Sequence, residues 1–158
     1  MDIGIRAPLR VRQRRAIDDS FIAELAARAF AEYDPHSVRV TLRMARAGTT
    51  WLALRDGEPV GFAVLRSVSD REQELGAIAV DERARGSGVG GALLAHIERT
   101  LSAAGGGQIR LHTAQANLAA MDLFLKRGFR VEQRLPRFYR GVFDACALCK
   151  RVPLARGR

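Results

Sequence analysis

The stretch Arg85-Gly86-Ser87-Gly88-Val89-Gly90-Gly91 constrains the chain more than any other feature. An apolar run, Glu74 to Val80, precedes it. A strongly amphipathic segment, Ala92 to Leu101, follows, with apolar residues at helical spacing. The sequence therefore predicts a strand that turns through glycines into a helix. The first N–H groups of a helix have no internal partner and sit at the positive end of its dipole. Glycines let the backbone turn sharply and let an anion approach it closely. Such a turn suits a diphosphate; the plain alternative is a glycine-rich turn that binds nothing. A nucleoside-triphosphate loop would end in Gly-Lys-Ser/Thr, and no lysine stands here. Gly86, Gly88 and Gly91 match the dinucleotide spacing. That motif, however, opens the first strand–helix unit of a parallel sheet, whereas this turn follows three apolar runs joined by tight turns.

Those runs are Trp51 to Leu54, Pro59 to Ser67 and Glu74 to Val80. Asp56-Gly57 separates the first two and is the sharpest hairpin signal in the chain. Upstream, Leu9 to Arg14 reads as a strand, and Asp18, Asp19 and Ser20 are N-cap candidates. Phe21, Ile22, Leu25, Ala29 and Phe30 recur at helical spacing until Tyr33-Asp34-Pro35 stops the helix. Ser37 to Ala47 is a second helix closed by Gly48. Downstream come a strand (Gln108 to Thr113), a helix (Leu118 to Arg127) with Gly128 as its C-cap, and strands at Phe129 to Arg134 and Phe143 to Cys149. This order predicts one α/β domain over residues 1–152, a mixed sheet with helices on its faces, and a frayed tail over 153–158.

Charge narrows the function classes. The formal net charge is +9, which raises nucleic acid as a partner. The excess sits at the ends: residues 1–15 hold five arginines against Asp2, and residues 126–158 hold ten Lys or Arg against Glu132 and Asp144. Between them, eleven arginines face fourteen acids. No nucleic-acid interface is expected from that distribution. No apolar run nears the roughly 18 residues of a membrane span, and the basic N-terminus lacks the apolar segment of a secretory signal, so a cytoplasmic protein is expected. Cys146 and Cys149 are the only cysteines. They fall in a strand, where residues three apart face opposite ways, so buried free thiols are expected rather than a metal site.

Two motifs together resemble the GNAT N-acetyltransferase superfamily. Ile78-Ala79-Val80-Asp81 followed by Arg85-x-x-Gly88-x-Gly90-x-x-Leu93 is similar to its motif A. Asn117-x-x-Ala120-x-x-x-Phe124-x-x-x-Gly128-Phe129 resembles its motif B. The match is good over about residues 50–150 and holds only in outline before that. The feel is nearest to ribosomal-protein and Nα-terminal acetyltransferases. The resemblance implies a mostly antiparallel sheet of six to seven strands, about four helices, and splayed fourth and fifth strands. It implies acetyl-CoA as donor substrate, no metal, and a monomer or homodimer. Ile78, Ala79 and Val80 would pair with pantetheine through their backbone, like an added strand. The backbone of Arg85, Gly86, Ser87, Gly88, Val89, Gly90 and Gly91 would hold the diphosphate. Asn117 fits both a cofactor contact and an ordinary N-cap. Phe124 stands in the cofactor motif where the family usually has the tyrosine that acts as general acid.

Acetyl transfer needs a base for the amine, donors for the developing oxyanion and support for the leaving thiolate. His112, within Leu111-His112-Thr113, is the leading base candidate. Similar Nα-acetyltransferases carry histidine or glutamate at the matching place, and an ordinary imidazole titrates near 6.5. The plain alternative is a histidine that only packs. Glu74 is the second candidate, because period two places it with Gly76, Ile78 and Val80 on one face. Tyr139, in Arg137-Phe138-Tyr139-Arg140, resembles the paired aromatics that clamp peptide substrates, and Tyr33 lies in the loop that shapes the acceptor site in the family. The acceptor is expected to be a primary amine, with a peptide N-terminus leading and small amines such as antibiotics or polyamines as alternatives. A non-catalytic acyl-CoA-binding domain is the alternative of another class, supported by the loss of tyrosine at Phe124.

Overall fold

The computed structural model describes residues 7–157; Met1 to Arg6 of the expected domain and Arg158 of the expected tail lie outside them. β1 (Leu9–Gln13) precedes α1 (Asp19–Phe30) and α2 (Ser37–Ala47). β2 (Thr49–Arg55), β3 (Glu58–Ser69) and β4 (Glu72–Val80) form the meander. α3 (Val89–Ala103), β5 (Gly107–Ala114), α4 (Leu118–Lys126), β6 (Arg130–Tyr139) and β7 (Phe143–Val152) complete the chain. The seven strands form one sheet in the order β1-β2-β3-β4-β5-β7-β6. Among the described residues only β4 and β5 run parallel, and the other pairs are antiparallel. This is the mixed α/β architecture that the resemblance implies.

Each face of the sheet buries its own core. On one, Val89, Leu93, Leu94, Ile97 and Leu101 of α3 pack with Ile109, Leu111, Phe124 and Leu148. On the other, Ile22, Leu25 and Ala26 of α1 and Ala45 of α2 cover Leu52, Phe62, Val64, Ala77 and Ala79. Fully burying such a side chain is worth about 1.5–3 kcal/mol, so these helical stripes fix both layers. Glycines permit the close approaches. A Cβ at Gly48 would sit 2.2 Å from the Leu65 carbonyl oxygen.

Four local expectations are revised. Asp18 occupies the N-cap position of α1, but its side chain does not cap the helix. It is 3% exposed and accepts a bidentate pair from Arg12 at 2.7 and 3.0 Å and the Arg15 N–H at 2.7 Å, tying β1 to α1. The sixth strand runs on to Tyr139 through Pro136, which is tolerated because β6 is an edge strand with a register shift between Leu135 and Tyr139. The tail is pinned at its start, because Ser102 Oγ donates to Pro153 and Ala155 N–H donates to Ser102. Cys146 is buried, whereas Cys149 is only half-buried, with Sγ 3.7 Å from Gln108 Oε1. Among the described residues, no helix is long and apolar enough to cross a membrane.

Candidate active site

β4 and β5 pair only from Glu72 to Leu75 against Gln108 to Leu111. Beyond that point β5 follows β7, and β4 follows β3. The strands splay, so the β5-facing backbone edge of Gly76 to Val80 has no strand partner. Two cavities open in the gap. The first is lined by Ile78, Ala79, Val80, Arg85, Gly86, Gly88, Gly90, Asn117 and Lys126, among others. The second is lined by Tyr33, Asp34, Met44, Gly76, His112, Phe124 and Tyr139, among others. Phe30, Ile78, Asn117 and Ala120 line both, so the two cavities meet at the splay.

The glycine turn has the geometry of an anion cradle. Gly86 (φ +72°) and Gly88 (φ +85°) lie in the left-handed region that favours glycine, and Gly88 is the N-cap residue of α3. No N–H from Gly86 to Gly91 donates to a backbone carbonyl among the described residues. A Cβ at Gly86, Gly88 or Gly91 would meet nothing within 4 Å, so the space before the turn is open. Arg85, Lys126 and Arg127 line the cavity; Lys126 pairs at 2.9 Å with Asp122, which also lines it, and Arg127 pairs with Glu98, so Arg85 is the lining cation without a carboxylate partner among the described residues. The lysine and Arg127 escaped the reading of the sequence; only their place at the end of motif B's helix marks them. The residues present fit a diphosphate with an extended arm along β4. Two expected contacts differ. Ser87 turns its hydroxyl away, accepting from Arg55 Nη1 at 2.9 Å and donating to the Ala84 carbonyl, and it does not line the cavity. Val89 lines it but is 1% exposed, with its side chain in the core.

Motif B has a clear local reason. Asn117 caps α4, its Oδ1 accepting the Ala120 N–H at 3.2 Å, which leaves its amide NH₂ free at the junction of the cavities. At the other end, Gly128 (φ +88°) donates to Leu125 and Phe129 to Phe124. That is the doubly bonded glycine C-cap, with its usual apolar contact between Phe124 and Phe129, ring centroids 5.5 Å apart. Phe124 is 2% exposed and forms the floor of the second cavity rather than lining the first.

His112 projects from β5 opposite the core residues Leu111 and Thr113, and its ring lies 5.1 Å from Phe138. Tyr139 packs 4.9 Å from Phe138 and 5.6 Å from Tyr33. The two tyrosines, from β6 and from the α1–α2 loop, thus meet across the second cavity. Arg140 Nη1 donates to the Glu32 carbonyl at 3.2 Å and ties the two segments together. Arg137 and Arg140, which flank the aromatic pair, both have φ above +50°. Non-glycine residues in that region store strain that surrounding contacts must hold, a pattern found at functional sites. Burial pushes the Tyr139 hydroxyl up to about 12. Burial also raises that of Tyr33. Both stay protonated donors through the neutral range.

Glu74 is not brought to this site. Val64 pairs with Ala77 but Leu65 with Leu75, so Gly76 is a bulge with no partner of its own. The bulge resets the alternation: Leu75 shares a core with Ile78 and Val80, while Ala77 and Ala79 face the other way. Glu74 therefore leaves the face that period two assigns it. It pairs with Arg66 at 2.6 Å and lines neither cavity.

Residues 19–129 match the acetyltransferase (GNAT) family. The chain belongs to that family. As a GNAT protein it is an acetyl-CoA-dependent acyltransferase. It is 27% identical over 148 residues to an uncharacterized N-acetyltransferase of Methanocaldococcus jannaschii, covering 93% of this chain and 94% of that one. Its fold is that of the ribosomal-protein-S18-alanine N-acetyltransferase of Escherichia coli, with TM-score 0.81, 24% identity, and 96% and 98% of the two chains covered. It is also that of a GNAT acetyltransferase from Elizabethkingia anophelis with acetyl-CoA bound, with TM-score 0.73, 20% identity, and 90% and 97% covered.

Proposed function

We propose that this GNAT enzyme acetylates the N-terminal α-amine of a peptide or protein by direct attack in a ternary complex. The observation that carries the reading is the meeting of two cavities at Ile78 and Asn117, one fit for a diphosphate and its arm, the other walled by His112 and the Tyr33–Tyr139 pair. The E. coli structural neighbour, which acts on the alanine of a ribosomal protein, supports the choice of acceptor.

Acetyl-CoA supplies the activated acetyl thioester. Gly86, Gly88, Gly90 and Gly91 offer N–H groups to its diphosphate, with Arg85 adding charge. The unpaired edge from Ile78 to Val80 offers hydrogen bonds to its arm and an N–H to the carbonyl oxygen as charge builds there. His112 takes the proton of the acceptor amine. Asn117, whose amide NH₂ is free at the junction of the cavities, would steady the thiolate as it leaves; Phe124 has no proton to give. Tyr33 and Tyr139 hold the peptide by their rings and hydroxyls.

The test is CoA release from acetyl-CoA with short peptides bearing free N-termini, the same peptides blocked, and small amines. Turnover of the free peptides alone is expected. Turnover of small amines alone would keep acetyl transfer and discard this acceptor.

A further inference from the structure

The second cavity carries one negative charge and no positive one. Of the described residues that line it, Asp34 is the sole carboxylate, and none is lysine or arginine. Asp34 sits in the α1–α2 loop and is held rigidly. Its N–H donates to the Phe30 carbonyl at 3.0 Å, its own carbonyl accepts from Ser37 at 3.1 Å, and Oδ1 accepts the His36 N–H at 2.8 Å. That leaves Oδ2 uncommitted. No ion-pair partner lies within 4.0 Å of Asp34 among the described residues. The nearby tyrosines stay neutral, and the Arg140 guanidinium is directed to the Glu32 carbonyl. The rest of the cavity lining is mostly small or apolar, with Val40, Thr41, Met44, Leu75 and Gly76 among it.

We infer that Asp34 is a specificity-determining residue that receives the acceptor as an ammonium ion, and that the cavity discriminates against peptides whose first side chain is acidic. The inference rests on the N-terminal reading above. An α-amine has an ordinary pKa of about 7.7–8.0, so at neutral pH most acceptor arrives protonated. A half-buried carboxylate with a free oxygen attracts that cation and delivers it to the cavity shared with His112. The same charge repels a peptide that begins with Asp or Glu, for which the wall offers no cation.

The variant Asp34→Asn separates charge from structure, because the amide oxygen still accepts the His36 N–H and preserves the turn. Steady-state kinetics would be measured for two otherwise identical peptides, one starting with Ala and one with Glu, at low ionic strength. The wild-type enzyme should favour the Ala peptide. A hydrogen bond to a charged group is worth about 1.5–3 kcal/mol, or about ten- to a hundredfold. Asp34→Asn should therefore raise KM for the Ala peptide by about that factor, leave KM for acetyl-CoA unchanged, and narrow the preference for Ala over Glu. Equal use of both peptides by the wild type, or an unchanged KM in the variant, would overturn the inference while leaving N-terminal acetylation intact. No turnover of any free peptide by the wild type would defeat the N-terminal reading and this inference together.

Discussion

Replacing Gly88 by alanine isolates the anion cradle from the fold. Gly88 holds φ +85° and ψ 11° at the N-cap of α3, and an added Cβ would meet nothing within 4 Å. The structural cost is therefore the left-handed backbone alone, about 1–2 kcal/mol for a residue with a Cβ. For a chain of this size that is about 2–8 °C in Tm. If the turn relaxes to escape the strain, at least one N–H is lost to the diphosphate. A hydrogen bond to a charged group contributes about 1.5–3 kcal/mol, so acetyl-CoA affinity should fall about ten- to a hundredfold. Gly57 provides the control. It has φ +76° and also meets nothing within 4 Å, but it lies in the β2–β3 hairpin and lines no part of the first cavity. Gly57→Ala should lower Tm similarly and leave affinity unchanged. Calorimetric titration with acetyl-CoA and thermal melts on both variants decide the matter. Equal affinities for Gly88→Ala and the parent, despite a lowered Tm, would refute the cradle. Equal affinity losses in both variants would show that the effect is general rather than local.

Other outcomes follow from packing and charge. Gly48→Ala forces a Cβ to 2.2 Å from the Leu65 carbonyl oxygen and 3.2 Å from that of Met44, both backbone atoms; overpacking of about 1–3 kcal/mol should lower the urea midpoint without changing the slope. His96 has a buried, unpartnered Nε2 and packs 4.2 Å from Trp51. Burial, then the Arg99 charge, holds its pKa below the ordinary value. The folded state thus prefers neutral His96, so stability present above about pH 6.5 declines as pH falls toward the folded value. Melts across pH 5–8 should show the slope in the parent and not in His96→Gln, and fluorescence of Trp51, the sole tryptophan, should report the titration. The Arg14 and Arg46 hydrogen bonds lower the pKa of Asp19, although burial opposes them. Its contribution is complete above the ordinary carboxylate range and is lost as pH falls through the depressed folded value, so Asp19→Asn should flatten the acid limb of the stability profile.

Much of this fold is legible in the sequence because periodicity and punctuation agree. Asp56-Gly57, Gly48 and Gly128 end elements where the structure ends them, and Asp56 and Gly57 both take the positive φ that a tight hairpin needs. The cradle is legible for the same reason, since four glycines between an apolar strand and an amphipathic run mark a sharp turn whose backbone can be closely approached. What escapes is set by tertiary contacts. Nothing in Glu74-Leu75-Gly76-Ala77 announces the bulge that takes Glu74 off the face of Ile78 and Val80; it appears once β3 fixes the register. Asp18 looks like a helix cap until Arg12 is brought beside it. Asp34 reads as the end of a helix, and its place in a cavity wall depends on β5 and β6 closing over the α1–α2 loop. Lys126 and Arg127 look like ordinary charges near a helix C-terminus, and only the splay of β4 and β5 turns that end of α4 toward the cradle.

The most direct test of acetyl transfer at this site is His112→Ala. The side chain is exposed on β5 and lines only the second cavity, so the substitution should leave both Tm and acetyl-CoA affinity unchanged. Loss of a general base typically costs about 10²–10⁴ in rate, and kcat/KM for a peptide with a free N-terminus should fall by that amount. A variant that binds acetyl-CoA normally and turns over at the parent rate would contradict the account.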